Sequence, residues 1–518
     1  MSLLPQPTAH AEALRRDVAR IVGDGAVSCR GDDRAFYSRD LWPKTLLWTR
    51  AGRFPHPPDC VAWPGSVAEV AEIVKLAGRM GVPVVPFGGG TSVVGGAVPL
   101  RGGITLDLKR LERVGPVDLA SRCATAQAGV VGAILERKLN AAGATLGHFP
   151  PTLPSATLGG WLASRSAGHL SARYGKIEDM VLGLTVVDGE GRVFTTPGRQ
   201  GGGPRLVELF VGSEGTLGVI CEARLRVWPA PDARWLRGLR FPTIEAGLEA
   251  LRLILRAGLR PSVARLIDPV DTLLSDAGGL GGHGKAHEGS AAPAAGALAR
   301  LLRSARGEAL GLLLKRPALL GRLGELGRSC ACVLGFTGGA ADRADLDADG
   351  EEALAIARRY GGVDKGPGPG RRWWEDKDKP SFRQSLLFEA GGWTDTMDVA
   401  ATWSGLVALY EAVREAASPD VLVLTELSHA TLEGAALTFT FVGAAPTLEE
   451  GERRYASAWR AAMTAAASTG ATLSHHLGVG AHKQAFMDLE HGEMMRLLRA
   501  LKATFDPKGI LNPGKLGL

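Results

Sequence analysis

Apolar residues recur at three- and four-residue spacing near the start of the chain, which predicts a helix over about 9–23. The stretch that follows, with "FYSRDLWP" (36–43), has no period and reads as an irregular arm. From Cys60 the pattern shortens. "VAWPGSVAEVAEIVKLAGRMGVPVVPF" (61–87) reads as strand, turn, amphipathic helix and strand, with Ser66 and Glu69 spaced as a capping box. "GITLDL" (103–108) and "ATAQAGV" (124–130) predict strands, and "VGAILERKLNAAG" (131–143) predicts a helix ending at Gly143.

A second block spans about 174–228. "MVLGLTVVDGEGRVF" (180–194) predicts two strands joined by an Asp188-Gly189 turn, and "LGVICEARLRVWP" (217–229) a third strand. The register changes near 231–235. "FPTIEAGLEALRLILRAG" (241–258) and "PSVARLID" (261–268) then predict a helix and a strand. Residues 276–296 are low in complexity and read as a mobile loop. The leucine-rich run 297–323, broken at Pro317, suits either a pair of core helices or a lipid-facing surface. A glycine- and proline-rich segment at 361–374 separates two helical regions, and "FDPKGILNPGKLGL" (505–518) closes the chain as a turn-rich tail.

Length turns these elements into domains: 518 residues exceed one core and suggest two or three. With 45% apolar and 22% charged residues the composition is that of a globular protein. The net charge of +6 is spread without a basic run, which disfavours nucleic acid and leaves anionic substrates or an anionic membrane surface as partners. Cys29, Cys60, Cys123, Cys221, Cys330 and Cys332 form no CxxC pair and are expected to be reduced, mostly buried thiols; Cys330 and Cys332 would share a strand face. The N-terminus has no signal-peptide pattern and no run of 18 apolar residues occurs, so a cytoplasmic location is expected, with peripheral membrane contact as the alternative.

Four stretches carry chemistry. In "VPVVPFGGGTSVVGG" (82–96) a strand meets three consecutive glycines, whose missing Cβ atoms let backbone N–H groups converge on an anion such as a pyrophosphate; Thr91 and Ser92 would add hydroxyl donors. The pattern is not GxGxxG, so a Rossmann fold is not indicated. "GHFPPTLPSATLGGWLASRSAG" (147–168) and "VGSEGTLGVI" (211–220) are further loops where backbone can lie against a flat ligand. "TLSHHLGVG" (472–480) sets His475 and His476 before a glycine turn, with Leu477 where a third polar side chain would complete a reactive cluster.

Together these stretches, with "YGKIEDMV" (174–181) and the closing "FDPKGILNPGK", resemble the PCMH-type FAD-binding flavoproteins of the vanillyl-alcohol oxidase superfamily, from about Cys60 to the C-terminus. The resemblance implies an α+β fold: a two-subdomain FAD-binding domain (55–230) after an N-terminal helix and arm (1–54). A cap domain (231–460) would follow, with a ferredoxin-like antiparallel sheet flanked by helices, and a C-terminal segment (461–518) would return to the flavin. It implies FAD contacts from Pro86, Phe87, Gly88, Gly89, Gly90, Thr91 and Ser92. A second set is Pro151, Thr152, Leu153, Pro154, Ser155, Ala156 and Thr157, followed by Ser164, Arg165, Ser166 and Ala167. The remaining contacts would be Glu214, Gly215, Thr216, Leu217, Gly218, Val219, Ile220 and Asn512. Pro151 stands where the family often has an acidic residue. No histidine lies in the "GGGTS" turn, where covalently flavinylated relatives carry one, so non-covalent FAD is expected.

Within the superfamily the chain is most similar to bacterial alkyldihydroxyacetonephosphate-synthase-like proteins, through "PFGGGTSVVGG", "TLGGWLASRSAG", "PSVARLID", "DVAATWSGL" (398–406) and "SHHLGVG". That likeness implies exchange of an acyl group for a fatty alcohol through a flavin adduct, with Arg265 and Arg383 near an anionic, lipid-like substrate. Each arginine also suits an ordinary ion pair. The family's acid/base tyrosine falls in "AALTFTF" (435–441), where this chain has Thr438 and Thr440, and its third histidine falls at Leu477. Losing such groups costs roughly 10²–10⁴-fold in rate. The flavin-dependent 2-hydroxyacid dehydrogenases offer a second comparison: His429 is kept, while Thr438 and Leu477 replace a metal ligand and a base, so no metal is expected. Three readings follow: a synthase-like transferase, an oxidoreductase taking a hydride from an alcohol or hydroxy acid, and a catalytically degenerate FAD-binding paralogue. In the second, His475 or His476 would be the base, as the nearest imidazoles to the expected flavin face. Homodimers are common in the superfamily.

Overall fold

Ser66 caps the helix Val67–Met80: its hydroxyl accepts from the Glu69 amide at 3.2 Å, while the Glu69 carboxylate accepts from the Gly65 N–H at 2.7 Å. These bonds satisfy donors that a helix start leaves without carbonyl partners. The apolar stripe Val70, Ile73, Val74 and Ala77 packs into one core with Cys60, Ala62, Val84 and Ile104. Those strand residues belong to a sheet ordered Val27–Ser28, Cys60–Ala62, Ile104–Asp107, Val84–Phe87. The last three strands are mutually parallel, as strand–helix–strand crossovers require. The computed structural model describes residues 4, 6–197, 203–276, 329–378 and 392–518.

Two compact units result. One comprises Met1–Ala167, Gly175–Pro229 and His476–Leu518; the other comprises Gly168–Tyr174 and Ala230–His475. The second division falls later than residue 461 because the helix Leu448–Ser468, capped by Thr447, runs on unbroken in the second unit.

The first unit holds a second four-stranded sheet, antiparallel throughout, ordered Cys123–Gln127, Val219–Arg226, Val181–Val187, Val193–Thr195. Its hairpin is longer than an Asp188-Gly189 turn. The Asp188 carboxylate accepts from the Glu190 and Arg192 amides at 3.0 and 2.9 Å and so organises the whole connection 188–192. The N-terminal arm is less irregular than its sequence suggests: it folds as the short helices Gly31–Phe36 and Pro43–Arg50, the latter started by proline at its first position. Tyr37, between them, donates to the buried Asp107 carboxylate at 2.5 Å and ties the arm to the first sheet.

The second unit is built on one antiparallel sheet of seven strands. Their order is Val363–Asp364, Ala233–Phe241, Cys330–Gly338, Val263–Ile267, Leu422–Ala430, Gly434–Ala444, Gly392–Thr402. Among the described residues the chain passes twice through strand, helix, strand, strand, helix, with the helix Pro269–Asp276 added after the second strand of the first pass. Helices Ile244–Arg256 and Arg343–Arg359 serve the first pass, and Leu406–Ala417 and Leu448–Ser468 the second. The halves meet where Leu266–Ile267 pairs with Leu427–Glu426. The glycine- and proline-rich 361–374 does not simply separate helices: from Pro367 it is the helix Pro367–Asp376, again begun by proline.

All six cysteines are free and buried, and Cys330 and Cys332 share the buried face of their strand. Burial pushes the thiols of Cys29, Cys60, Cys221, Cys330 and Cys332 up, which keeps them protonated and inert. No helix among the described residues is long and apolar enough to cross a membrane. The low-complexity stretch 276–296 (from 277) and the leucine-rich run 297–323 lie outside the described residues.

Candidate functional site

In the first unit the strand Val84–Phe87 delivers the chain into Gly88, Gly89 and Gly90. That turn presses against the loop 152–157. A Cβ on Gly88 would sit 2.2 Å from the Thr157 hydroxyl, and one on Gly89 would sit 2.2 Å from the Ser155 carbonyl oxygen. Thr157 is fixed in turn, because its hydroxyl accepts from the Gly160 amide and caps the helix Leu158–Ser164. Among the described residues no protein group accepts from the amides of Gly89, Gly90 and Thr91, which are half-buried. A row of uncommitted amides on a turn stripped of Cβ atoms is what a pyrophosphate needs. Ser92 plays another part. Its hydroxyl is bonded to Asp40 and accepts from the Val94 and Gly96 amides, so it clasps the turn.

Around this cradle, Thr152 takes the Ser155 and Ala156 amides at 2.9 and 2.8 Å, Leu153 is buried, and Pro151, Pro154 and Ser155 are exposed. Ser164 donates to the Gly160 carbonyl, Arg165 pairs with Glu178 at 3.0 Å, and Ser166 and Ala167 are buried. Glu214 and Gly215 both take positive φ, at 51° and 75°, and turn the chain sharply before the strand Val219–Arg226. Thr216 donates to the Ser213 carbonyl, Leu217, Val219 and Ile220 are buried, and Gly218 lies against Val186.

Glu214 is buried and accepts from the amides of Val479 and Gly480, at 2.5 and 2.8 Å, which fastens the glycine turn after the histidines. Burial pushes its carboxyl up to about 7 against the pull of those amides and of Lys515 and Lys483. Asn512 donates to the carbonyls of Gly96 and Glu214, while its own Oδ1 is buried without a partner. An orphaned acceptor costs about 1–3 kcal/mol unless a ligand donor meets it. His148 was not singled out in the sequence. It is buried edge-on to Trp161 at 4.6 Å with both ring nitrogens unpartnered; burial first, then the charge of His476, push it down to about 3.

The second unit gathers a different set. Arg265, on the strand Val263–Ile267, is buried. Its guanidinium donates to His169 Nδ1 at 2.6 Å and forms an ion pair with Glu426. Since arginine can only donate, Nδ1 of His169 is the acceptor and Nε2–H is free to donate to the Lys377 carbonyl at 3.2 Å, which defines the tautomer. Trp373 lies 5.4 Å from the His169 ring and 5.9 Å from the Arg265 guanidinium.

Nearby in the same unit, the Ser171 hydroxyl and His429 Nδ1 are 2.6 Å apart. The His429 ring stacks with His475 at 5.7 Å and 28°. The His475 amide donates to the fully buried Asp398 carboxylate at 2.8 Å. Thr438 is engaged on its own sheet, donating to Ser428 at 3.0 Å. The adjacent pair His475–His476 thus straddles the division between units, His475 in the second and His476 in the first. Arg383 lies outside the described residues. Among the described residues no group of three His, Cys, Asp or Glu side chains is arranged to hold a metal ion. His169, Ser171 and Glu426 were missed in the sequence; the only signal there was the polarity of Glu426 within an apolar strand.

A unit with an amide-lined loop cradle, and a unit whose antiparallel sheet carries a buried arginine and imidazoles, define a two-domain dinucleotide-dependent enzyme. Residues 58–197 match the family described as FAD binding domain, and residues 230–516 the family described as FAD linked oxidases, C-terminal domain. The alkyldihydroxyacetonephosphate synthase of Dictyostelium discoideum is 29% identical over 485 residues, 91% of this chain and 75% of that protein. The mitochondrial D-lactate dehydrogenase (cytochrome) of Arabidopsis thaliana is 27% identical over 467 residues, 89% and 73% of the two chains. A solved alkyldihydroxyacetonephosphate synthase has a TM-score of 0.75 at 25% identity, covering 99% of this chain and 86% of that one. The chain belongs to the FAD linked oxidases, within the PCMH-type flavoproteins, and it is an FAD-dependent enzyme. The open amides at 89–91 and the orphaned Asn512 Oδ1 fit that cofactor.

Proposed function

We propose that the protein works as an alkyldihydroxyacetonephosphate-synthase-like transferase with altered proton-transfer groups. It would replace the acyl group of a phosphate-bearing ketone ester with a fatty alcohol. The acyl carboxylate leaves, the alcohol oxygen bonds to the carbon it vacated, and the alcohol proton is released, with no net redox change. FAD, when bound, supplies the electron-accepting ring that this exchange requires.

The observation that carries the reading is Arg265. A buried guanidinium at the position where the resemblance sets a substrate-binding arginine, oriented by His169, supplies the fork that an anionic substrate group needs. Proton transfer falls to imidazole rather than to a tyrosine. His429, held by its hydrogen bond to Ser171 and stacked on His475, can take a proton from substrate and keep the charge on its own ring. Thr438 cannot replace the tyrosine: its alcohol ionises far above neutral pH, and it is already donating to Ser428. Leu477 has no proton to give. The exposed loop residues Pro151, Pro154 and Ser155 remain part of the proposed FAD contact with Gly88–Thr91, while Arg165 acts through its pair with Glu178.

A second reading has one specific support. Glu426 already cancels part of the charge on Arg265, which suits the single charge of a carboxylate better than the double charge of a phosphate. On that reading His429 would accept the hydroxyl proton of a hydroxy acid, and FAD, when bound, would supply the hydride acceptor. One experiment separates the two. Anaerobic FAD-loaded protein is given acyl-dihydroxyacetonephosphate and hexadecanol, then, separately, a panel of 2-hydroxy acids. Ether product with an unbleached flavin supports the transferase. Bleaching by a hydroxy acid without ether product overturns it in favour of the oxidoreductase.

A further inference from the structure

The second unit carries a cleft that the proposed chemistry does not use. It has a volume of about 470 Å³ and lies between the strand Ala233–Phe241, the first turns of the helix Arg343–Arg359 and the helix Pro367–Asp376. Pro367, Arg371, Trp374 and Glu375 follow one another at helical spacing, so a single face of that helix forms one wall.

Charge and rigidity distinguish the lining. Arg234, Arg237, Arg343 and Arg371 face it against two carboxylates, Asp347 and Glu375, which leaves an excess of two positive charges. Two of the guanidiniums lie over indoles: Arg234 is 4.6 Å from the Trp374 ring, and Arg237 is 5.0 Å from the Trp235 ring. Stacking occupies the faces of a guanidinium and leaves the N–H donors on its edge, already oriented, for an oxyanion. Arg343 is answered by Asp347 at 3.0 Å, and Arg237 stands 3.6 Å from Asp364. Among the described residues no carboxylate lies in ion-pair range of Arg234 or Arg371, whereas Arg237 turns its Nε toward Asp364 without a hydrogen bond and donates from Nη1 to the Leu236 carbonyl at 3.4 Å.

We propose that this cleft binds a phosphate-bearing anion, with Arg234 and Arg371 as its principal donors and Arg237 in support. A single carboxylate would leave one of the two surplus charges unanswered, whereas a phosphate monoester carries close to two negative charges at neutral pH and offers three acceptor oxygens. A free phosphorylated metabolite and the headgroup of an anionic lipid share this chemistry. None of the lining residues belongs to the cofactor loops or to the Arg265 and His429 clusters, so this site stands or falls independently of the proposed reaction.

The test uses the full chain loaded with FAD and inorganic pyrophosphate as the probe, titrated calorimetrically at low salt. Wild-type protein is expected to bind, and Arg234→Ala/Arg371→Ala to bind at least roughly tenfold more weakly with unchanged FAD content. Glu375→Gln, which removes a carboxylate without adding bulk, is expected to bind more tightly. A flotation arm with phosphatidic acid in phosphatidylcholine vesicles separates the sources. Flotation of wild type but not of the double variant supports a lipid headgroup; pyrophosphate binding without flotation supports a soluble phosphate. Absence of pyrophosphate binding by wild type, or equal binding by wild type and double variant, overturns the proposal.

Discussion

Replacing Gly89 with alanine tests the cofactor cradle at its tightest contact. The new Cβ would stand 2.2 Å from the Ser155 carbonyl oxygen, 3.0 Å from its carbon and 3.1 Å from the Ala156 Cα. All three atoms are backbone, so no side chain can swing aside, and the turn or the facing loop must retreat by about 1 Å to restore ordinary contact. Overpacking of this kind costs about 1–3 kcal/mol. The same retreat moves the amides of Gly89, Gly90 and Thr91, and a hydrogen bond to a charged group is worth about 1.5–3 kcal/mol. Loss of the equivalent of one such bond weakens FAD binding by roughly 10–100-fold. The assay titrates apoprotein with FAD and follows quenching of flavin fluorescence, with the melting temperature recorded alongside. Gly25→Ala is the control, because a Cβ there meets nothing within 4 Å. FAD affinity within about twofold of wild type in Gly89→Ala would refute the cradle, since a true contact predicts at least tenfold. A lower melting temperature with unchanged FAD affinity would make the turn structural only.

Two further outcomes concern Glu214 and His476. Glu214 is protonated in the fold up to about pH 7 but ionises near its ordinary value of 4.5 once unfolded, so the native state holds an extra proton between those values. Stability should therefore fall as pH rises from about 4.5 to 7, by roughly 3 kcal/mol from this group. Denaturant midpoints of Glu214→Gln should show a shallower decline than wild type over that range, and parallel curves would contradict the assignment. His476→Ala is expected to lower turnover by roughly tenfold or more while FAD stays bound; unchanged turnover would remove His476 from the chemistry.

Local signals carried far in this chain, and non-local ones did not. The Ser66–Glu69 cap, the strand–helix–strand run that follows Cys60 and the Gly88–Gly90 turn are written in residues a few positions apart, where periodicity and capping chemistry operate. The same locality misled at 361–374: glycine and proline read as a break, yet proline at the first helical position starts a helix. Ser92 read as a donor for a ligand because its partner Asp40 lies in the N-terminal arm, far from it along the chain. The partners that give Arg265 its surroundings, His169 and Glu426, lie far away along the chain, as does Ser171 from His429. No spacing rule links such residues. Only the pairing of Val263–Ile267 with Leu422–Ala430 in one sheet brings Glu426 to the arginine. The engagement of Thr438 with Ser428 was likewise not legible in the sequence.

The central claim is that imidazole at His429 has taken over proton transfer in this flavoenzyme. The most direct measurement is single-turnover rate against pH for wild type and His429→Ala, both saturated with FAD and matched in flavin content. The account predicts a loss of roughly 10²–10⁴-fold in the variant, together with disappearance of the ionisation that limits the wild-type profile. A variant that keeps the wild-type rate and the wild-type pH profile would contradict it.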